Sequence, residues 1–115
     1  MHVLIIEDEP LIAMSIQDAL EEAGATSFHI AENEADAVTS ARDHPPGFIT
    51  SDVHLKQGTG PAAVRAIRAE LGDIPVLFLT ATPERCTPCD QPGTVLAKPF
   101  MNNDLGRAFR AALAA

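Results

Sequence analysis

The chain has 115 residues, 46% of them hydrophobic, with sixteen acidic side chains against eight basic ones and a formal net charge of -8. That length predicts one domain over residues 1–115 around a single core, without room for a separate output domain, and the charge repels nucleic-acid phosphates and anionic lipid alike, so neither is an expected partner. The first apolar run, residues 3–6, is followed directly by acids, unlike a signal peptide or a membrane span, and a cytoplasmic location is expected.

In chain order, a short apolar run alternates with an amphipathic stretch. Residues 3–6 (VLII) form the first predicted strand. After Pro10, apolar residues at Ile12, Ile16, Ala19, Leu20 and Ala23 make one helical face, and Gly24 supplies the stop. A second strand centres on residues 28–30. Asn33 is a capping residue for a second helix through Ala41, closed by His44, Pro45, Pro46 and Gly47. Residues 48–50 (FIT) are the third strand. "GTGP", residues 58–61, lacks the lysine and hydroxyl of a phosphate loop and reads as a turn into a third helix opened by Pro61 and ended by Gly72. Residues 76–79 (VLFL) and 95–97 (VLA) are the last strands, and Asn102 or Asn103 caps a final helix running to about Leu113. Continuous apolar runs suit strands buried on both faces, so the pattern predicts a doubly wound α/β domain with a five-stranded parallel sheet.

The segment after the fourth strand departs from this rhythm. Residues 81–94 contain Pro83, Pro88, Pro92 and Gly93 and carry no apolar helical face, which predicts a loop with at most one helical turn. Cys86 and Cys89, the only cysteines, lie inside it. A zinc site needs four ligands and no second pair exists, while the prolines disfavour the helix start that activates a redox cysteine; both cysteines read as small residues of a variant loop. His2, His29 and His44 show no ligand spacing in sequence.

The polar residues that bear chemistry fall at strand ends. Glu7 and Asp8 follow the first strand, Asp52 the third, Thr80 the fourth and Lys98 the fifth. The carboxyl edge of an open α/β sheet is where ligands bind. Three carboxylates there repel one another and ask for a hard divalent cation, Mg2+ first among them. Lys98 and Thr80 suit the oxygens of a phosphoryl group, and together the set points to an acyl phosphate formed on one carboxylate.

"VLIIEDEP", "SDVHL" with Gly60 eight residues after Asp52, "VLFLTA" and "AKPF", in this order and spacing, resemble the receiver domain of two-component response regulators across essentially the whole chain. The resemblance implies a flavodoxin-like sheet in the order 2-1-3-4-5, here with a reduced or missing fourth helix. It implies Asp52 as phosphoacceptor for a histidine kinase, in a single-domain regulator that is not an enzyme and that contacts a downstream protein partner or serves as a phosphate sink. It also implies magnesium held by Asp8, Asp52 and the backbone carbonyl of His54, with Glu7 acting through water. Thr80 and Lys98 would bind the phosphoryl group, and Pro99 would be cis. "VLIIEDEPLIAM" and "TATPER" are similar to the receivers of alphaproteobacterial general-stress regulators. Val95 stands where typical receivers carry an aromatic, and Lys56 where most carry proline.

Two other classes compete. An aspartyl-phosphate phosphatase of the haloacid-dehalogenase kind uses a second aspartate two residues after the nucleophile, where this chain has His54. A dithiol redox or metal module would use Cys86 and Cys89.

Overall fold

The structure is a computed structural model and describes residues 1–80, 93–98 and 100–114. In chain order the elements are β1 (His2–Ile6), α1 (Pro10–Glu22), β2 (Ser27–Ala31), α2 (Glu34–Asp43), β3 (Phe48–Asp52), α3 (Gly60–Leu71), β4 (Val76–Thr80), β5 (Gly93–Ala97) and α4 (Asn102–Ala114). All neighbouring strands run parallel, in the order β2-β1-β3-β4-β5. Of the loop expected over 81–94, residues 81–92 lie outside the described residues, as do Cys86, Cys89, the site of a reduced fourth helix and the peptide at Pro99; Gly93 and Thr94 belong to β5.

Alternation along each strand sends side chains to two cores. Val3, Ile5, Phe48, Leu77 and Leu79 face α1 and α4, meeting Ile16, Leu20, Leu105 and Phe109. Leu4, Ile6, Ile49, Val76 and Phe78 face α2 and α3, meeting Ala37, Ala41, Val64 and Ile67. Each buried Leu, Ile or Phe contributes roughly 1.5–3 kcal/mol. Because both faces are covered, β1 and β4 read as nearly unbroken apolar runs, while β3 buries Thr50 and Ser51 after Phe48 and Ile49. On the first face Phe109 meets Phe48 edge to face, with ring centroids 4.8 Å apart.

The helix ends follow local chemistry. The Asn33 side chain accepts the Asp36 N–H at 2.8 Å, and Thr59 Oγ1 accepts the Ala62 N–H at 3.2 Å, with Pro61 in the first turn. Gly24 and Gly72, which follow α1 and α3, have φ of 111° and 93°, where a side chain is strained. At α4 the expected cap is corrected: the helix already includes Asn102, because Asp104 Oδ2 reaches back to the Met101 N–H at 3.3 Å while the Met101 carbonyl accepts from Asp104 and Leu105.

One glycine fixes the shape of the site. A Cβ on Gly60 would overlap the Asp52 carbonyl oxygen and Ser51 Oγ, because α3 begins directly against the end of β3. Its N–H donates to the Val53 carbonyl at 3.0 Å, locking the turn. Gly60→Ala is expected to destabilise the fold by about 2 kcal/mol, the scale of overpacking a close backbone contact. Urea unfolding checks this, and an unchanged midpoint would contradict it.

Candidate functional site

Strand order reverses between β1 and β3: from β1 the chain proceeds outward to β2, then returns to β3 on the other side. The carboxyl ends of β1 and β3 flank that switch point, where an open α/β sheet leaves a crevice. Glu7 and Asp8 leave β1 there and Asp52 ends β3. One oxygen from each of these three carboxylates lies within 4.8 Å of the others, the one such grouping of potential metal ligands among the described residues. A cleft lined by Asp8, Glu32, Asn33, Lys56 and Gln57 opens beside them.

Each carboxylate is held differently. Glu7 is 1% exposed, and its Oε2 accepts the Glu9 N–H at 3.2 Å at the entrance to α1. Asp8 Oδ2 accepts the backbone N–H of Lys56 at 2.7 Å, a tie from the loop after β3 that no sequence spacing announces. Asp52 is partly buried, paired in register with Leu79 of β4. Lys98 leaves β5 and places Nζ 3.5 Å from Glu7 Oε1 and 3.5 Å from Asp52 Oδ2. Its own N–H donates to the Thr80 carbonyl at 2.8 Å, so the last residues of β4 and β5 are tied together at the rim. Thr80 is buried at the end of β4. His54 follows Asp52 by two residues; its side chain is exposed and its backbone bridges to Thr59.

The sequence-expected set of Glu7, Asp8, Asp52 and Lys98 is therefore gathered at one place, with Thr80 and His54 on the adjoining segments. What sequence reading missed is the burial of Glu7. A glutamate after an apolar run is ordinarily solvated, and here burial, followed by the negative charge of Asp52, pushes its carboxyl from the usual 4.5 up to about 7, against the opposing pull of Lys98. One ammonium does not balance three carboxylates. The set fits magnesium: the donors are all hard oxygens, and oxygens around an octahedral magnesium stand roughly 3–4 Å apart, a modest side-chain adjustment from the observed grouping.

Residues 3–110 match the family described as "Response regulator receiver domain". The phyllosphere-induced regulator PhyR of Methylorubrum extorquens is 36% identical over 116 aligned residues, covering 97% of this chain and 43% of that protein. The solution structure of the receiver domain of Erythrobacter litoralis PhyR superposes with a TM-score of 0.87 at 33% identity, covering 98% of this chain and 89% of that one. A receiver domain of a sensor histidine kinase from Pseudomonas aeruginosa, solved with a magnesium ion coordinated in its active-site cleft, superposes with a TM-score of 0.85 at 27% identity, covering 99% and 98% of the two chains. The chain belongs to the response regulator receiver family, and it spans about half the length of the curated full-length regulators it matches here.

The raised Glu7 carboxyl has a consequence for stability. Between about 4.5 and 7 the folded metal-free protein retains a proton that the unfolded chain has released, so the Glu7 contribution is fully present below pH 4.5 and lost as pH rises through 7. Glu7→Gln is expected to stabilise the chelator-treated protein at pH 8 by about 1 kcal/mol or more and to have little effect at pH 4. Urea unfolding at the two pH values checks it; equal effects at both would contradict the assignment.

Proposed function

We propose that this receiver accepts a phosphoryl group on Asp52 from the phosphohistidine of a histidine kinase, in a magnesium-dependent reaction, as a step in two-component signalling. The observation that carries the reading is the placement of Asp52 within one cluster with Glu7 and Asp8 while Lys98 Nζ stands 3.5 Å from its carboxylate. An Asp52 carboxylate oxygen attacks phosphorus, a P–O bond forms as the donor's P–N bond breaks, and the electron pair returns to the imidazole nitrogen. Lys98, already beside Asp52, moves its ammonium onto a phosphoryl oxygen, and the Thr80 hydroxyl at the neighbouring strand end donates to another. Asp8, Asp52 and the His54 carbonyl, with Glu7 behind them, would hold magnesium, whose positive charge when bound would offset repulsion between the attacking carboxylate and the incoming phosphate.

A protein donor is supported by apolar side chains left exposed on segments that adjoin the site in sequence: Leu11 on α1 is 81% exposed, Met14 58% and Met101, three residues after Lys98, 73%, which a small phosphate ester would not need. Among the described residues no helix is long and apolar enough to cross a membrane. Residues 1–115 act in this reading as one phosphoacceptor unit whose output is a protein contact, with the relatives' general-stress role as the frame. The phosphatase alternative gains nothing from the geometry, since His54, at the position of its second aspartate, turns an exposed imidazole outward.

Wild-type protein incubated with acetyl phosphate and magnesium is expected to gain one phosphoryl group by intact mass, and none when the metal is chelated. Asp52→Ala is expected to gain none under either condition. Equal uptake by the substituted protein would overturn the choice of Asp52.

A further inference from the structure

At the opposite edge of the sheet the fold brings together three histidines that lie 27 and 15 residues apart in the chain. His2 opens β1. Parallel pairing sets it beside Ser27 and places His29 two residues further along β2, on the same face as Ser27. His44 follows α2, and the connection it begins is tied back to β1 by the Gly47 N–H donating to the His2 carbonyl at 2.9 Å. All three line one cavity together with Ser27, Asp43 and Pro45.

We propose that His2, His29 and His44 form a binding site for a borderline divalent transition metal of the zinc type, distinct from the carboxylate site at the other end of the strands. The ring spacing approaches that of a zinc site, with the ring nitrogens standing further apart than the carboxylate oxygens of the first cluster and the His29 and His44 rings stacked. Three imidazoles bound to one tetrahedral zinc through nitrogens at about 2.0–2.1 Å have ring centres about 5 Å apart. Here the centroids of His29 and His44 are 5.3 Å apart, those of His2 and His29 6.1 Å, and those of His2 and His44 6.3 Å. His29 and His44 are exposed, so rotation of these two side chains closes the remaining distance.

His2 is already prepared as a ligand. Its Nδ1 lies 2.6 Å from Ser27 Oγ, and its Nε2 is buried without a hydrogen-bond partner. A buried, unpartnered ring nitrogen is costly unless something fills its lone pair. With Nδ1–H donated to Ser27, the Nε2 lone pair is free, which is the arrangement that orients metal-binding imidazoles elsewhere. Burial first, then the neighbouring His29, His44 and the terminal ammonium, hold the His2 ring below its ordinary 6.5, so it stays neutral at physiological pH. Imidazole nitrogens favour zinc, nickel or copper over magnesium, so excess magnesium directed at the carboxylates leaves the histidine site open to zinc. Asp43 in the lining offers an anionic oxygen, and water completes the shell.

The test is calorimetric titration of the full chain with Zn2+ in reducing buffer and excess Mg2+, which occupies the carboxylate site. One zinc per chain is expected, with affinity reduced about tenfold or more by His29→Gln, by His44→Gln and, through loss of ring orientation, by Ser27→Ala. Circular dichroism of each variant confirms the fold. Cys86→Ser combined with Cys89→Ser is expected to leave this binding unchanged. Absence of saturable zinc binding, undiminished binding in both histidine variants, or loss of binding with the cysteine substitutions would each overturn the proposal.

Discussion

Three carboxylates crowd the carboxyl ends of β1 and β3 with one ammonium, Lys98 Nζ, 3.5 Å from two of them, and this imbalance of charge is the constraint around which the functional edge is built. Left without further positive charge, the cluster is resolved by holding a proton on Glu7, whose carboxyl is raised to about 7. A divalent cation resolves it differently, by converting mutual repulsion into shared coordination. In the proposed reaction a phosphoryl group on Asp52 would add negative charge again, with Lys98 Nζ 3.5 Å from that carboxylate. The site is therefore stable in alternative occupancies and unfavourable when empty and fully ionised.

Such a cluster persists because the rest of the molecule over-determines it. Glu7 and Asp52 are carried on strands whose preceding residues are buried against helices on both faces, so neither strand end can retreat without opening a core. The Lys56 N–H fixes Asp8, the Lys98 N–H fixes the rim of β4, and Gly60 lets α3 press against the Asp52 carbonyl where any side chain would intrude. Hydrophobic burial on the two faces outweighs the local electrostatic penalty, and backbone hydrogen bonds give that penalty a fixed geometry.

Much of this was legible in the sequence, and the reasons are particular. β1 and β4 announce themselves because burial on both faces leaves no polar alternation, and Asn33 and Gly72 mark helix ends because a short polar acceptor suits an N-cap and glycine suits the positive φ after a helix. Glu7, Asp8, Asp52 and Lys98 come together because the ends of parallel strands converge whatever the intervening loops do. The start of α4 was read one or two residues late, since the bond from Asp104 to the Met101 N–H competes with an asparagine cap and cannot be ranked from composition. The burial of Glu7 was hidden because nothing local distinguishes it from Asp8 or Glu9, and its side-chain partner Lys98 lies 91 residues away. The histidines escaped for the same reason, as only the register of β1 on β2 places His2 against Ser27 and near His29.

Magnesium is the charge expected to answer the imbalance at Asp52. The most direct measurement is a magnesium titration of the unphosphorylated chain followed by backbone amide NMR, in wild type and in Asp8→Asn. Saturable shifts centred on Asp8, Asp52, Val53 and His54 are expected in wild type and greatly weakened in the variant. An absence of saturable shifts at physiological magnesium, or shifts equally strong in the variant, would contradict it.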